Sequence, residues 1–273
     1  MDWVAPNLRD GLGNRLFQMA AALGAAEKWN TKPVFFTPRI APSVHSDCSV
    51  VYQLFSNYNL PKVELANSWK QHVEPHYESW KYTELPSQAP GNQTVLQGYF
   101  QSEKYFPSKG IELNFEAAIP KDKVATYKSS MNFEDTWFLH IRLGDFLILP
   151  QYDINIKDYL QRVFTQIQEK RQGQKKIKML VFSDSIDKAT ELLSKLDTSG
   201  IELLIVKDLN AVETLYLMSL CGGGGICSNS TFSWWGAYSS HAKKKGNPIY
   251  VPSRWILYNV PQEDVYSSWM TRS

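Results

Sequence analysis

Residues 137–146 read WFLHIRLGDF, and the order of residue types in this stretch decides the fold. Trp137, Phe138 and Leu139 form an apolar, aromatic run suited to a buried strand. The run ends in His140, Arg142 and Asp145, with Gly144 among them. In an α/β sheet the carboxyl end of a strand is where ligands sit, and a turn through glycine allows close approach of a ligand. Arg142 presents a planar fork of donors matched to phosphate oxygens. The plain alternative is an Arg–Asp surface pair beside a satisfied histidine.

Toward the C-terminus the pattern alternates regularly. Residues 158–170 carry Tyr159, Val163, Phe164 and Ile167 at helical spacing. Strands are expected at 178–182, 201–206, 225–227 and 249–251, and helices at 186–195, 211–220 and 232–242. Strands alternating with helices imply parallel βαβ units in a Rossmann-like sheet. Toward the N-terminus, a short strand near Trp3–Ala5 leads through Gly11 and Gly13 into a helix over 14–29, then a strand over 33–36. The pattern then weakens through Pro38, Pro42, Pro61, Pro75, Pro86 and Pro90 into a loop-rich stretch. The polar residues between Pro120 and Asp135 mark the expected boundary, giving an N-terminal lobe over 1–130 and a C-terminal lobe over 131–273.

Composition narrows the function classes. The 273 residues hold 29 basic and 27 acidic side chains, and the longest basic run is Lys243–Lys245, suited to a helix end. No nucleic-acid partner is expected. Nine Trp and fourteen Tyr suit both core filling and stacking on sugar faces. Cys48, Cys221 and Cys227 form neither a disulfide framework nor a zinc pattern. The alanine-rich stretch over 16–29 is interrupted by Gln18, Glu27 and Lys28, well short of the ~20 apolar residues of a spanning helix. With no signal peptide visible, a soluble, cytoplasmic protein is expected, and the sequons at Asn92 and Asn229 read as chance matches.

Two further segments carry chemistry. Ser183, Asp184 and Ser185 follow an expected strand, so either Asp184 or Ser185 serves as a helix N-cap, or Asp184 is a carboxylate facing a nucleotide base or ribose. Residues 228–236 read SNSTFSWWG. Their hydroxyls and helix N-terminal amides make an anion cradle, with capping, and Trp234 and Trp235 as core, the plain alternative. Gly222–Gly225 fits neither the dinucleotide fingerprint nor the P-loop and reads as a helix stop before a strand. No Asp-x-Asp pair exists, so no metal site is expected and protein donors must neutralise any diphosphate.

Taken together, GLGNRLFQMA at 11–20, GYFQSEKYF at 98–106, HIRLGDF at 140–146, FSDS at 182–185 and SNSTFSWWGA at 228–237 resemble the α-1,2-fucosyltransferase family. The resemblance implies a GT-B architecture, two Rossmann-like lobes with a cleft between them. It also implies inverting, metal-independent transfer of fucose from GDP-fucose to a galactose 2-hydroxyl of a glycan, with no further cofactor. Arg142 would contact the donor β-phosphate with His140 beside the nucleotide, and Asp184 would read the guanine or ribose. The Asn229–Ser233 turn, with Ser230, Thr231, Phe232 and Ser233, would hold the diphosphate, and Gly11, Gly13 and Asn14 would face the donor from the N-terminal lobe. Asp145 is expected to orient Arg142, and Asp10, bordering the Gly11–Asn14 loop, is the candidate general base, a turn residue in the plain reading. The chain departs from the family at Leu143, where a second arginine is common, and at Asp10, where glycine is common. Transfer of another GDP-deoxyhexose such as rhamnose, and a non-catalytic GDP- or sugar-binding protein, are the alternatives.

Overall fold

Trp137–Ile141 is a strand with every residue buried, and it lies inside a six-stranded parallel sheet. The structure is a computed structural model and describes residues 2–36, 49–63, 69–75, 80–170 and 176–273. Pro38, Pro42 and Cys48 lie outside the described residues.

The chain divides into two compact units, Met1–Pro120 with Val260–Ser267, and Lys121–Asn259 with Ser268–Ser273. In the first unit β1 (Trp3–Pro6) leads into α1 (Leu12–Trp29). There follow β2 (Lys32–Pro33), β3 (Phe35–Phe36), α2 (Ser49–Leu54), β4 (Lys62–Val63), β5 (Lys70–Val73), β6 (Gln93–Gln97) and α3 (Phe115–Ala118). Its main sheet has the order β2-β1-β6-β5, with every pairing parallel. α1 is buried along most of its length and carries an alanine-rich core face. At Gly24 the helix approaches another backbone so closely that a Cβ would sit 1.9 Å from the Tyr105 carbonyl oxygen.

The second unit begins with α4 (Lys121–Ser130), then β7 (Trp137–Ile141), α5 (Ile156–Lys170), β8 (Ile177–Ser183), α6 (Ile186–Leu193) and β9 (Ile201–Ile205). It continues with α7 (Ala211–Leu220), β10 (Gly224–Ile226), α8 (Thr231–Lys243), β11 (Ile249–Val251) and β12 (Met270–Arg272). Sheet order is β12-β11-β10-β7-β8-β9, all parallel. Tyr159, Leu160, Val163, Phe164 and Ile167 of α5 pack on Leu139, Ile141, Met179 and Val181 of the sheet. Trp234 and Trp235 are fully buried, so both are core residues.

The structure fills in some expectations and corrects others. The polar stretch after Pro120 folds as α4, anchored by Val124 and by Lys123 Nζ on the buried Glu213 carboxylate at 2.6 Å. The loop-rich stretch contains β5 and β6. The strand expected at 225–227 begins one residue earlier, so Gly224 joins Gly225 inside β10. A Cβ on Gly225 would meet the Phe138 ring at 2.2 Å, so the strand needs glycine to pass a bulky neighbour. The strand expected at 33–36 is two short pieces, β2 and β3.

Candidate functional site

In the second unit the chain runs from β7 outward through β8 to β9, then returns to place β10 on the other side of β7. This reversal of strand order falls at the carboxyl ends of β7 and β10, the position at which open α/β sheets take up ligands. The residues singled out in the sequence meet there. His140 is the penultimate residue of β7, and its Nδ1 lies 2.6 Å from the Ser233 hydroxyl of α8. The Ser228 hydroxyl donates to the His140 carbonyl and accepts from the Arg142 N–H, each at 2.9 Å. Ser228 thus ties the two strand tips together. Sequence reasoning placed it in the hydroxyl-rich turn without giving it a role.

Arg142 is held by two carboxylates. Its Nε and Nη2 donate to Asp145 Oδ1 at 3.0 and 2.7 Å, and Nε lies 3.0 Å from Asp184 Oδ2. Its Nη1 has no acceptor among the described residues. The second Asp184 oxygen accepts from the Leu143 N–H at 2.9 Å. Neither Asp184 nor Ser185 caps α6: Ser185 occupies the N-cap position without a side-chain bond, and its N–H is accepted by the Ser183 hydroxyl. Gly144 is required by Asp184, whose Oδ2 would lie 2.5 Å from a Cβ at that position. Leu143, where the resembled family commonly has arginine, turns its side chain into the sheet's apolar core.

His140 is 6% exposed. Burial lowers its pKa to about 4, with Asp184 opposing and Arg142 reinforcing the shift, so the ring is neutral at neutral pH. Phe232 packs beside it, ring centroids 5.3 Å apart. Ser230 is the N-cap of α8 and makes no side-chain cap bond, and Thr231 opens the first turn. The Asn229 amide donates to the Tyr152 and Trp255 carbonyls at 3.2 and 2.9 Å, which makes it a buried anchor of the turn.

The first unit repeats this topology. β1 leads to β2 on one side, and β6 lies on the other. At the carboxyl ends of β1 and β6, Tyr99 donates its hydroxyl to Asp10 Oδ2 at 2.7 Å, and Gln101 donates its amide to Asn14 Oδ1 at 2.9 Å. Asp10 has φ +62°, a left-handed conformation that Asp tolerates and glycine adopts freely, which accounts for glycine being common there in the resembled family. Gly11 is the N-cap of α1, and Gly13 lies buried in its first turn. Arg15, one turn in, is also buried. No cluster of three or more His, Cys, Asp or Glu side chains suited to a metal occurs among the described residues, and no described helix is long and apolar enough to cross a membrane.

Comparison with known proteins agrees with this frame. The O-antigen biosynthesis glycosyltransferase WbnK of Escherichia coli is 28% identical over 140 residues, covering 50% of this chain and 44% of that protein, so the chain spans less than half the length of this relative. Among solved structures, the α-1,6-fucosyltransferase NodZ co-crystallised with GDP shares 14% identity and a TM-score of 0.50, over 86% of this chain and 92% of that one. Fucosyltransferase NodZ from Bradyrhizobium gives the same score over 86% and 91%. POFUT1 in complex with GDP-fucose shares 12% identity over 91% and 97%, with a TM-score of 0.49. The NodZ likeness is one of fold, a Rossmann-like α/β architecture with parallel sheets. The profile of glycosyl transferase family 11 matches residues 6–251, and the chain belongs to that family.

Proposed function

We propose that the protein is an inverting fucosyltransferase that moves L-fucose from GDP-fucose to a galactose 2-hydroxyl of a glycan, forming an α-1,2 linkage without a metal ion. The two parallel-sheet units are read as the lobes of a GT-B enzyme, the second holding the donor and the first supplying the base. The observation that carries this reading is the strand-order reversal between β7 and β10, at which the Arg142 fork, the Ser230–Ser233 hydroxyls and the first turn of α8 come together.

As the anomeric carbon–oxygen bond breaks, the sugar becomes cationic and the diphosphate takes the bonding electron pair. Arg142 Nη1, the Ser230 and Thr231 hydroxyls and the α8 amides stabilise that charge. Asp145 and Asp184 hold the guanidinium in place for it. Asp184 has both oxygens bonded within the protein, so its part in nucleotide recognition is shared with the orientation of Arg142. Neutral His140 lines the site and fixes Ser233. Asp10 accepts the acceptor hydroxyl's proton: it is exposed, and Tyr99 is its one hydrogen-bond donor among the described residues, leaving Oδ1 for the substrate. Base assistance of this kind contributes roughly 10²–10⁴-fold.

The test is incubation with GDP-fucose, GDP-rhamnose and a glycan array, with the product linkage determined by NMR. Fucosylation at galactose O2 is the expected outcome. Transfer from GDP-rhamnose alone overturns the donor assignment, and GDP binding with no transfer to any acceptor overturns the catalytic one.

A further inference from the structure

One buried carboxylate lies outside every motif described above. Glu74 follows directly after β5 and is 5% exposed. Its Oε2 accepts from two successive backbone N–H groups, Tyr99 at 2.7 Å and Phe100 at 2.9 Å. Its main chain is tied to the same turn, its N–H donating to the Gln97 carbonyl at 2.8 Å. Phe100 has φ +52°, a conformation rare for a bulky side chain that needs its surroundings to hold it. Gly98 completes the fit, because a Cβ there would lie 2.4 Å from Glu74 Cβ and 2.6 Å from Oε2. Burial raises the Glu74 pKa against the opposing pull of the two N–H bonds, Arg9 and Tyr105.

The turn that Glu74 holds is the one that aims Tyr99 at Asp10 and Gln101 at Asn14. An edge-strand carboxylate therefore fixes the far side of the strand-order reversal in the first unit. Arg9 adds to the same assembly, its guanidinium lying 4.6 Å from the Tyr99 ring centroid. The strained turn, the two-donor bond and the missing Cβ at Gly98 all converge on the phenol that meets Asp10.

We infer that Glu74 is the positioning residue of the acceptor side, acting through the Tyr99–Phe100 turn to set the Asp10 carboxylate. The inference rests on the proposed role of Asp10, and its test is chosen to keep the two apart. Misplacement of a reacting group by about 1 Å costs on the order of 10²-fold in rate, so Glu74→Ala is expected to lower kcat by about that factor. The Kd for GDP, held by the second unit in the proposed reading, should stay at the wild-type value.

Four variants decide the matter: Glu74→Ala, Glu74→Gln, Tyr99→Phe and the Glu74→Ala/Tyr99→Phe pair, each measured for kcat, acceptor KM, GDP affinity by calorimetry and amide exchange of residues 97–102. Glu74→Gln retains an acceptor oxygen and should recover most of the kcat lost in Glu74→Ala. The double variant should be no slower than Glu74→Ala, because both act through one contact, and exchange at Tyr99 and Phe100 should speed up in Glu74→Ala. Multiplicative losses in the double variant, wild-type kcat in Glu74→Ala, or unchanged exchange each overturn the proposal. Loss of GDP binding in both Glu74 variants also overturns it, since Glu74 would then support the whole fold. Wild-type kcat in Asp10→Asn, with the Glu74 pattern intact, removes the base assignment and overturns the claim that Glu74 acts by setting Asp10, leaving Tyr99 and Gln101 as the groups it positions.

Discussion

Acidification should destabilise the second unit through one residue, His140. The unfolded chain takes up a proton on this imidazole near pH 6.5, whereas burial holds the folded value at about 4. Between those values the unfolded state binds the extra proton, so stability falls as pH falls. Above 6.5 both states are neutral, and below about 4 both are charged, so the dependence is confined to that window. The gap of about 2.5 pKa units, at about 1.36 kcal/mol per unit, corresponds to about 3 kcal/mol. The assay is urea unfolding followed by tryptophan fluorescence at half-unit steps from pH 7.5 to 4, on wild type and His140→Asn. Glu74, with its folded pKa raised by burial, contributes an opposite slope: its contribution is present below its unfolded value and is lost as pH rises through the folded one. Both proteins carry that contribution, so it cancels in the difference. Parallel pH profiles for the two proteins, or an imidazole titrating near 6.5 by NMR in the folded protein, would refute the reasoning.

Arg142→Lys should lower kcat by roughly 10²–10³-fold while the protein stays folded, because an ammonium cannot span Asp145 and Asp184 and still donate outward; near-normal turnover removes Arg142 from the mechanism. Asp184→Asn should weaken GDP binding and also disturb the Arg142 side chain, whereas unchanged calorimetric affinity assigns Asp184 to the Leu143 turn alone. Transfer should persist in excess EDTA, and activity abolished by chelator and restored by manganese or magnesium contradicts the metal-free reading.

The second unit was legible because its central strands β7, β10 and β11 are buried at every residue and β8 at most of them. Runs such as Trp137–Leu139 and Met179–Phe182 read as continuous apolar segments, and the polar residues at their tips stand out by contrast. The first unit was less legible for a matching reason. β5 is KQHV with no residue fully buried, so it carries no apolar signature, and β2, β3 and β4 hold two residues each, too short for any periodicity to register. Lys121–Ser130 reads in sequence only as polar residues at a boundary because α4 buries only Val124 and relies on Lys123 reaching Glu213, a pairing ninety positions apart along the chain. Glu74 was invisible for the same kind of reason: its partners are backbone N–H groups about 25 residues away, and backbone donors leave no mark on residue identity. Ser233 reads as a phosphate contact and Ser228 carries no expected role, yet the hydroxyls of both bind His140. Hydroxyl-rich composition does not separate the two uses.

Asn229 carries a consequence beyond its place in a sequon. Its amide grips the carbonyls of residues 152 and 255 from within the core, so the turn preceding α8 is anchored by the protein itself to two other segments of the chain. An anion taken up at Ser230–Ser233 would find its donors already in place, and association would lose little free energy to loop ordering. The same grip closes the residue to modification. With its nitrogen committed and only 3% of the residue exposed, Asn229 cannot accept an oligosaccharide without unfolding the turn, so any N-glycan found on this chain belongs elsewhere.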